Sequence, residues 1–171
     1  SMIVSNTYFR PEMAGIDVPG GAYITASGID IIRDEKGRYY VLEDNLRSPS
    51  WFSYVFKGRT LMSEIFHDLF PSSMVQSIER SLNCFLTSLR TLAPNGKRDP
   101  FIVLLTPGVY NSAYYEHAFL AQQLGIHLVE GRDLVYKDHK IYLRDLRGLR
   151  QVDVIYRRID DDFLDPLELR P

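Results

Sequence analysis

The 171 residues suffice for one domain or two small ones, and the 45% apolar content is enough to bury a sizeable core. With 20 basic against 22 acidic residues there is no cationic excess, so a nucleic-acid or membrane surface is not expected, although binding a single nucleotide stays open. Cys84, the only cysteine, excludes an internal disulfide, and no apolar run approaches the ~20 residues of a membrane span. These features predict a cytoplasmic protein.

Ser1-Met2 reads as a cloning remnant before a start methionine, and Leu169-Arg170-Pro171 ends without a helix terminus or polar tail. The sequence therefore reads as an excised piece of a longer chain. Residues 3–20 are irregular. Tyr23 to Ile32 is rich in β-formers, Asp34-Glu35-Lys36-Gly37 is a polar turn, and Arg38 to Glu43 returns as a second strand, which predicts a hairpin over about 23–43.

Helical spacing follows. Leu61, Met62, Ile65, Phe66 and Leu69 mark one helix, stopped by Pro71. Ser72 or Ser73 is placed to cap a second, with the stripe Val75, Ile78, Leu82, Phe85, Leu86, Leu89 and Leu92 and with Cys84 beside it as a small core or boundary residue. The segment 93–100, rich in turn residues, is a linker. Phe101-Ile102-Val103-Leu104-Leu105 suits a strand buried on both faces. Asn111 or Ser112 then caps a helix with Ala113, His117, Leu120, Ala121 and Leu124 on one face and Gly125 as its stop, and Ile126 to Val129 is the next strand. Strand, helix and strand in about 30 residues make a βαβ unit. A small hairpin over 134–143 and a strand over Val152 to Tyr156, returning to the parallel sheet, complete the pattern.

Asp30, Glu43 and Asn45 carry the strongest chemical signal, D-x12-E-x-N around a turn. Asp30 on one strand can lie near Glu43 on the other, and Glu43 and Asn45, two apart, project to one face. Two carboxylates and an amide carbonyl are hard oxygen ligands of the kind Mg²⁺ takes, together with water and phosphate. Taken alone, the triplet also fits an ordinary polar hairpin edge.

The context of the triplet adds a resemblance. Ile29-Asp30-Ile31-Ile32-Arg33-Asp34 with Tyr40-Val41-Leu42-Glu43-Asp44-Asn45-Leu46-Arg47, then Leu105-Thr106-Pro107-Gly108 with 110–117, then 128–134, then 152–166 together resemble the circularly permuted ATP-grasp family, including its glutathionylspermidine-synthase-like relatives. The likeness runs from about residue 8 onward. It implies an α/β fold: an ATP-grasp metal-ligand hairpin with linking helices, followed by a Rossmann-like (pre-ATP-grasp) parallel sheet. The implied organisation is a partial ATP-grasp lobe over 1–70, a helix and linker over 71–99, and a Rossmann-like unit over 100–171. It also implies ATP and Mg²⁺ as cofactors, with Asp30, Glu43 and Asn45 as metal ligands, and a parent that joins a carboxylate to an amine through an acyl phosphate. A metal hairpin preceding the βαβ unit is the order that permutation produces.

Other residues are weighed beside this. Arg47 is placed either to hold phosphate as a catalytic and nucleotide-binding group or to pair with a neighbouring acid. Ser48 is a nucleotide-binding candidate, and Ser48 and Ser50 either donate hydrogen bonds to a substrate carboxylate or form the turn around Pro49. Asn111, Ser112, Tyr114, Glu116 and His117 lie at a strand-to-helix junction, where open parallel sheets collect ligands, and are expected to take the carboxylate or acceptor substrate. His117 is equally a satisfied core residue. Glu130-Gly131-Arg132-Asp133 is either a cleft segment or a polar turn. Arg157 and Arg158, followed by Asp160, Asp161 and Asp162, either pair with one another or position substrate. His67, His127 and His139 lack metal spacing.

Lys36, Lys57, Lys97, Lys137 and Lys140 lie in turns or beside a helix start, and no glycine-rich clamp is present. The chain alone is therefore expected to bind ATP weakly and to lack ligase activity. Its expected partners are small-molecule or peptide carboxylates and amines and the remaining ATP-grasp lobe of the parent. Two other readings are a non-catalytic assembly module with a vestigial site, and a nucleotide-sugar transferase lobe.

Overall fold

The computed structural model describes residues 2–7, 9–50, 52–69, 76–160 and 163–164. After 3-10 turns at Pro11–Met13 and Pro19–Gly21, strands β1 (Gly28–Arg33) and β2 (Tyr39–Asn45) form an antiparallel pair. Helices α1 (Phe52–Ile65) and α2 (Glu79–Thr91) follow, then β3 (Ile102–Leu105), α3 (Tyr114–Leu124) and β4 (His127–Val129). The chain continues through β5 (Leu134–Lys137), β6 (Lys140–Asp145) and β7 (Gly148–Gln151) to β8 (Val154–Arg157).

The parallel sheet has the order β4-β3-β8, and β5-β6-β7 is an antiparallel meander. The unbroken apolar run at β3 has a direct cause. Ile102 and Leu104 face one core with Phe56, Leu82, Leu89, Leu120, Ala121 and Leu124 from the helices. Val103 and Leu105 face a second core with Val129, Leu143 and Val152 on the meander side. Successive side chains leave a strand on opposite faces, so a strand covered on both sides needs apolar residues at every position. The first core joins α1, α2 and α3 to the sheet without a break.

Several boundaries differ from the sequence expectation. The first hairpin runs 28–45 rather than 23–43. Its turn sets this: Asp34 accepts from the backbone N–H groups of Lys36 and Arg38, and Gly37 takes φ 78°. The arms pair outward from that turn with one shift of register between Asp30 and Ile31, so that Asn45 at the end of the second strand meets Gly28 at the start of the first.

α1 begins at Phe52 and buries Ser53 and Phe56. Leu61, Met62, Ile65, Phe66 and Leu69, whose spacing marks a helix in the sequence, are exposed, with Leu69 at 73%, and the helix ends at Ile65. Spacing marks a helix without saying which turn meets the core. Pro71, Ser72, Ser73 and Val75 lie outside the described residues. α2 starts at Glu79, whose N–H is accepted by Ser77 Oγ at 3.2 Å. Cys84, expected as a small core or boundary residue, is exposed. The cap expected from Asn111 or Ser112 is absent in that form. Ala113 is the N-cap of α3 without a side-chain bond, and Asn111 Oδ1 instead accepts the Ala113 N–H at 2.9 Å just ahead of the helix. Gly125 ends α3 at φ 65°, as expected.

Candidate functional site

Two places gather the residues singled out above. The first is the hairpin. Asp30 and Glu43 are direct cross-strand partners, and the register shifts just beyond them, leaving Leu42 without a counterpart. Partners directly across an antiparallel pair share a face, and Asn45 lies two residues along from Glu43. Asn45 Nδ2 donates to Glu43 Oε1 at 3.2 Å, so its carbonyl oxygen is left over on the same side. All three residues are exposed. The donor set, two carboxylates and an amide oxygen reachable from solvent, fits Mg²⁺ shared with phosphate. Among the described residues no group of three His, Cys, Asp or Glu side chains stands ready for a metal, so Asn45 is needed to make this set a triplet.

The second place lies beyond the carboxyl ends of β3 and β8. The backbone N–H of Arg158 donates to Leu105 O at 2.9 Å, and that of Thr106 to Val129 O at 2.9 Å, which carries the sheet one residue further on each strand. Arg158 is buried. Its Nη2 donates to Glu116 Oε1 and to Ser50 Oγ, both at 3.2 Å, and its Nη1 to Pro49 O at 2.6 Å. Glu116, 1% exposed, also accepts from Ser53 Oγ at 3.2 Å. One guanidinium thereby ties the 49–50 segment, the start of α1, α3 and the end of β8 together. Desolvation of such a pair is costly, and it persists because nearly every polar atom is bonded. Arg158 Nε is the exception among the described residues.

Beside this pair lies a cavity of about 370 Å³ lined by Ser48, Ser50, Pro107, Asn111, His117, Arg158 and Asp160. His117 is 2% exposed, and its Nδ1 lies 2.8 Å from Thr106 Oγ1. Burial, with the nearby charge of Arg158 adding to it, pushes His117 down to about 4, so the ring is neutral at pH 7. Gly108, at φ 104°, donates its N–H to Thr106 Oγ1 at 3.2 Å.

The structure separates the expected site residues. Ser48, Asn111 and Arg158 line the same cavity. Arg47 is not on that wall; its Nε lies 3.9 Å from Oδ1 of Asp160, which is, and it shares a neighbouring cavity of about 200 Å³ with Arg157 and Arg158. Ser112 is exposed and Tyr114 half-buried, and neither is on the cavity wall. Glu116 is sealed in by Arg158 and Ser53. Asp161 and Asp162 lie outside the described residues. Glu130 and Asp133 form a reciprocal capping box around the turn Gly131–Asp133, the polar-turn alternative. Sequence reasoning missed Thr106 and Ser53 as parts of this network, and weighed Ser50 for substrate or turn rather than as a partner of Arg158. Thr106 alone carried a hint, as the first polar residue after the buried strand.

The hairpin and the cavity are joined by only a few residues. Gly28, opposite Asn45 at the hairpin base, lies so close to the 46–50 segment that a Cβ there would come 2.9 Å from Pro49 Cβ. The model of the family described as "A circularly permuted ATPgrasp" matches residues 1–171. The chain belongs to the circularly permuted ATP-grasp family. ATP-grasp proteins in general bind ATP with Mg²⁺ and are of ligase type. The chain is 50% identical over 169 residues to an uncharacterized protein of Mycobacterium tuberculosis, covering 99% of this chain and 31% of that protein. It is 48% identical over 169 residues to one of Mycobacterium leprae, at 99% and 30% coverage. It is 46% identical over 170 residues to one of Synechocystis, at 99% and 35% coverage. The chain thus spans about a third of the length of these curated relatives. Among the described residues no helix is long and apolar enough to cross a membrane.

Proposed function

We propose that this circularly permuted ATP-grasp chain supplies the magnesium-holding hairpin and one wall of the substrate site of an ATP-dependent carboxylate–amine ligase. The observation that carries the reading is the pairing of Asp30 with Glu43, with Asn45 on the same side. In this reading Asp30, Glu43 and Asn45 hold Mg²⁺ on the nucleotide phosphates, and the metal supplies charge neutralisation there. Arg47 and Ser48, on the segment leading away from Asn45, reach toward phosphate. Bidentate guanidinium contacts suit that role.

Asn111 contacts substrate in the cavity beyond β3 and β8, with Arg157 at the neighbouring one. Glu116 and Arg158 position that wall from within, since their charged atoms are taken up by each other and by Ser50 and Ser53. The finer fold assignment belongs to the same proposal: an ATP-grasp metal hairpin followed by a Rossmann-like pre-ATP-grasp sheet. So do a glutathionylspermidine-synthase-like chemistry, the division into 1–70, 71–99 and 100–171, and a second lobe elsewhere in the parent. Glu43→Ala with Asn45→Ala in the full-length parent is expected to lower ATP turnover by at least about 100-fold, the scale of losing a positioned metal on a transferring phosphoryl group. Unchanged turnover would favour a non-catalytic assembly module.

A further inference from the structure

The hairpin that carries Asp30, Glu43 and Asn45 has little to hold its direction. Every residue of β2 is exposed, and in β1 every residue but Gly28. With no covered face, the hairpin is aimed where its two arms meet the rest of the chain, and both meet it at Pro49 and Ser50. The entering arm passes them at Gly28, where a Cβ would lie 2.9 Å from Pro49 Cβ. The leaving arm runs into them directly after Asn45. Thr25 to Gly28 and Pro49-Ser50 also share the wall of a cavity of about 640 Å³.

Pro49 and Ser50 are fixed by one side chain from the end of β8. Arg158 Nη1 donates to Pro49 O at 2.6 Å, and Nη2 donates to Ser50 Oγ at 3.2 Å. These bonds come from a charged group whose side chain is only 2% exposed, which makes them stronger than neutral ones. Another tie between the two segments, Arg47 to Asp160, is 3.9 Å long with both side chains about half exposed, and such a pair holds little. Arg158 is itself anchored. Its backbone N–H donates to Leu105 O at 2.9 Å, and Nη2 also donates to Glu116 Oε1 at 3.2 Å. The planar guanidinium fork thus serves α3 and the 49–50 segment at once, which the point charge of a lysine would not match. Filling the core does not call for this pair, since two apolar residues of similar volume would do so at less cost. Apolar residues would not supply the bonds to Pro49 and Ser50.

We infer that Arg158 is a positioning residue for the metal hairpin. Through Pro49 and Ser50 it sets the angle of the hairpin to the parallel sheet, and so where Asp30, Glu43 and Asn45 stand relative to the cavity beyond β3 and β8. The inference rests on the ligase reading for the metal, and it extends the role of Arg158 from the cavity wall to the hairpin. It makes the grip on the metal depend on a side chain that touches neither metal nor nucleotide.

Two variants test this. Glu116→Leu with Arg158→Met removes the bonds to Pro49 and Ser50 and leaves no unpaired charge, whereas Ser50→Ala removes one bond and keeps the ion pair. In this chain, nitroxides on Cys84, the only cysteine, and on Glu35→Cys in the hairpin turn report the angle by double electron–electron resonance, and both positions are exposed. The turn lies about 20 Å from the hairpin base, the span of six strand residues, so a tilt at the base is magnified there. The distance distribution is expected to widen at least twofold in the double variant and by less in Ser50→Ala. In the full-length parent, with ATP present, Mn²⁺ affinity is expected to fall about tenfold or more in the double variant, the scale on which loss of a supporting residue weakens a metal site. Ser50→Ala should lower it about threefold, the scale of one hydrogen bond. Urea unfolding checks that each variant is folded when it is measured.

If Arg158 served only to neutralise Glu116, the folded double variant would keep the narrow distribution and the Mn²⁺ affinity, and either result would overturn the inference while leaving the ligase reading in place. Where the double variant does not fold, Ser50→Ala decides alone, and an unchanged distribution there overturns the inference. A widened distribution in this chain, with no nucleotide-dependent Mn²⁺ binding by the parent, would keep Arg158 as the residue that aims the hairpin and sink the ligase reading.

Discussion

Glu116 and Arg158 hold the wall of the cavity by neutralising each other, with each side chain only 2% exposed. Removing one partner leaves the other charge buried and unpaired. Glu116→Gln is therefore expected to cost about 3–5 kcal/mol in urea unfolding, whereas Glu116→Leu with Arg158→Met should cost much less than the sum of the single changes. A fully additive double variant would contradict the pairing. His117 contributes a pH dependence of defined sign. Its folded value, about 4, lies below the ordinary 6.5, so the unfolded chain binds more protons between these values. Stability is full above about pH 6.5 and falls as pH drops toward 4, by on the order of 2–3 kcal/mol from this group. His117→Gln should flatten that part of the stability profile, and an unchanged slope would place its cause elsewhere. Of these residues, the sequence placed His117 on a helix face but not its bond to Thr106. Nor could it pair Glu116 with Arg158, since the two meet only through the packing of α3 against the end of β8.

At the scale of elements, the hairpin is aimed by its base. A Cβ at Gly28 would sit 2.9 Å from Pro49 Cβ, so Gly28→Ala must push the hairpin away from the 46–50 segment, at a cost of about 1–3 kcal/mol. Thermal unfolding would check this, and a neutral substitution would show that the contact has room to relax. A second tie is Asp153, which accepts from the Phe101 N–H and from Lys97 Nζ, both at 2.7 Å. Burial alone would raise its pKa, but these bonds and the charges of Lys97 and Arg150 outweigh it and hold the carboxyl below its ordinary 3.8. Its contribution is therefore present above that value and lost as pH falls below it. The β3–α3–β4 unit was legible because burial on both faces of β3 writes an apolar residue at every position. β7 was not, because Leu149-Arg150-Gln151 has no such pattern. It is held by pairing with β6 and by the Arg150 guanidinium, 3.6 Å from the Phe101 ring centre. The exposed half of α1 has the opposite lesson, since Leu61, Met62 and Ile65 carry a core-like spacing on a face that meets no core among the described residues.

Across the whole molecule, a parallel sheet packed between helices and a meander carries a hairpin whose strands are almost wholly exposed, with Ile31 at 58% and Val41 at 60%. A two-stranded pair without a covered face is marginal on its own. In this chain, the amides of β1 and β2 should exchange with deuterium at least ~100-fold faster than those of β3, and equal protection would mean that the hairpin shares the stability of the main core. The order of the parts, hairpin before βαβ unit, could be read from the sequence because each segment is local. The cavity could not, because it forms only where residues 48–50, 107–117 and 158–160 meet. The most direct test of the account is Mn²⁺ binding to the full-length parent in the presence of ATP, read by electron paramagnetic resonance. The account predicts a nucleotide-dependent bound signal that Asp30→Ala weakens at least tenfold, and a signal indifferent to that substitution would contradict it.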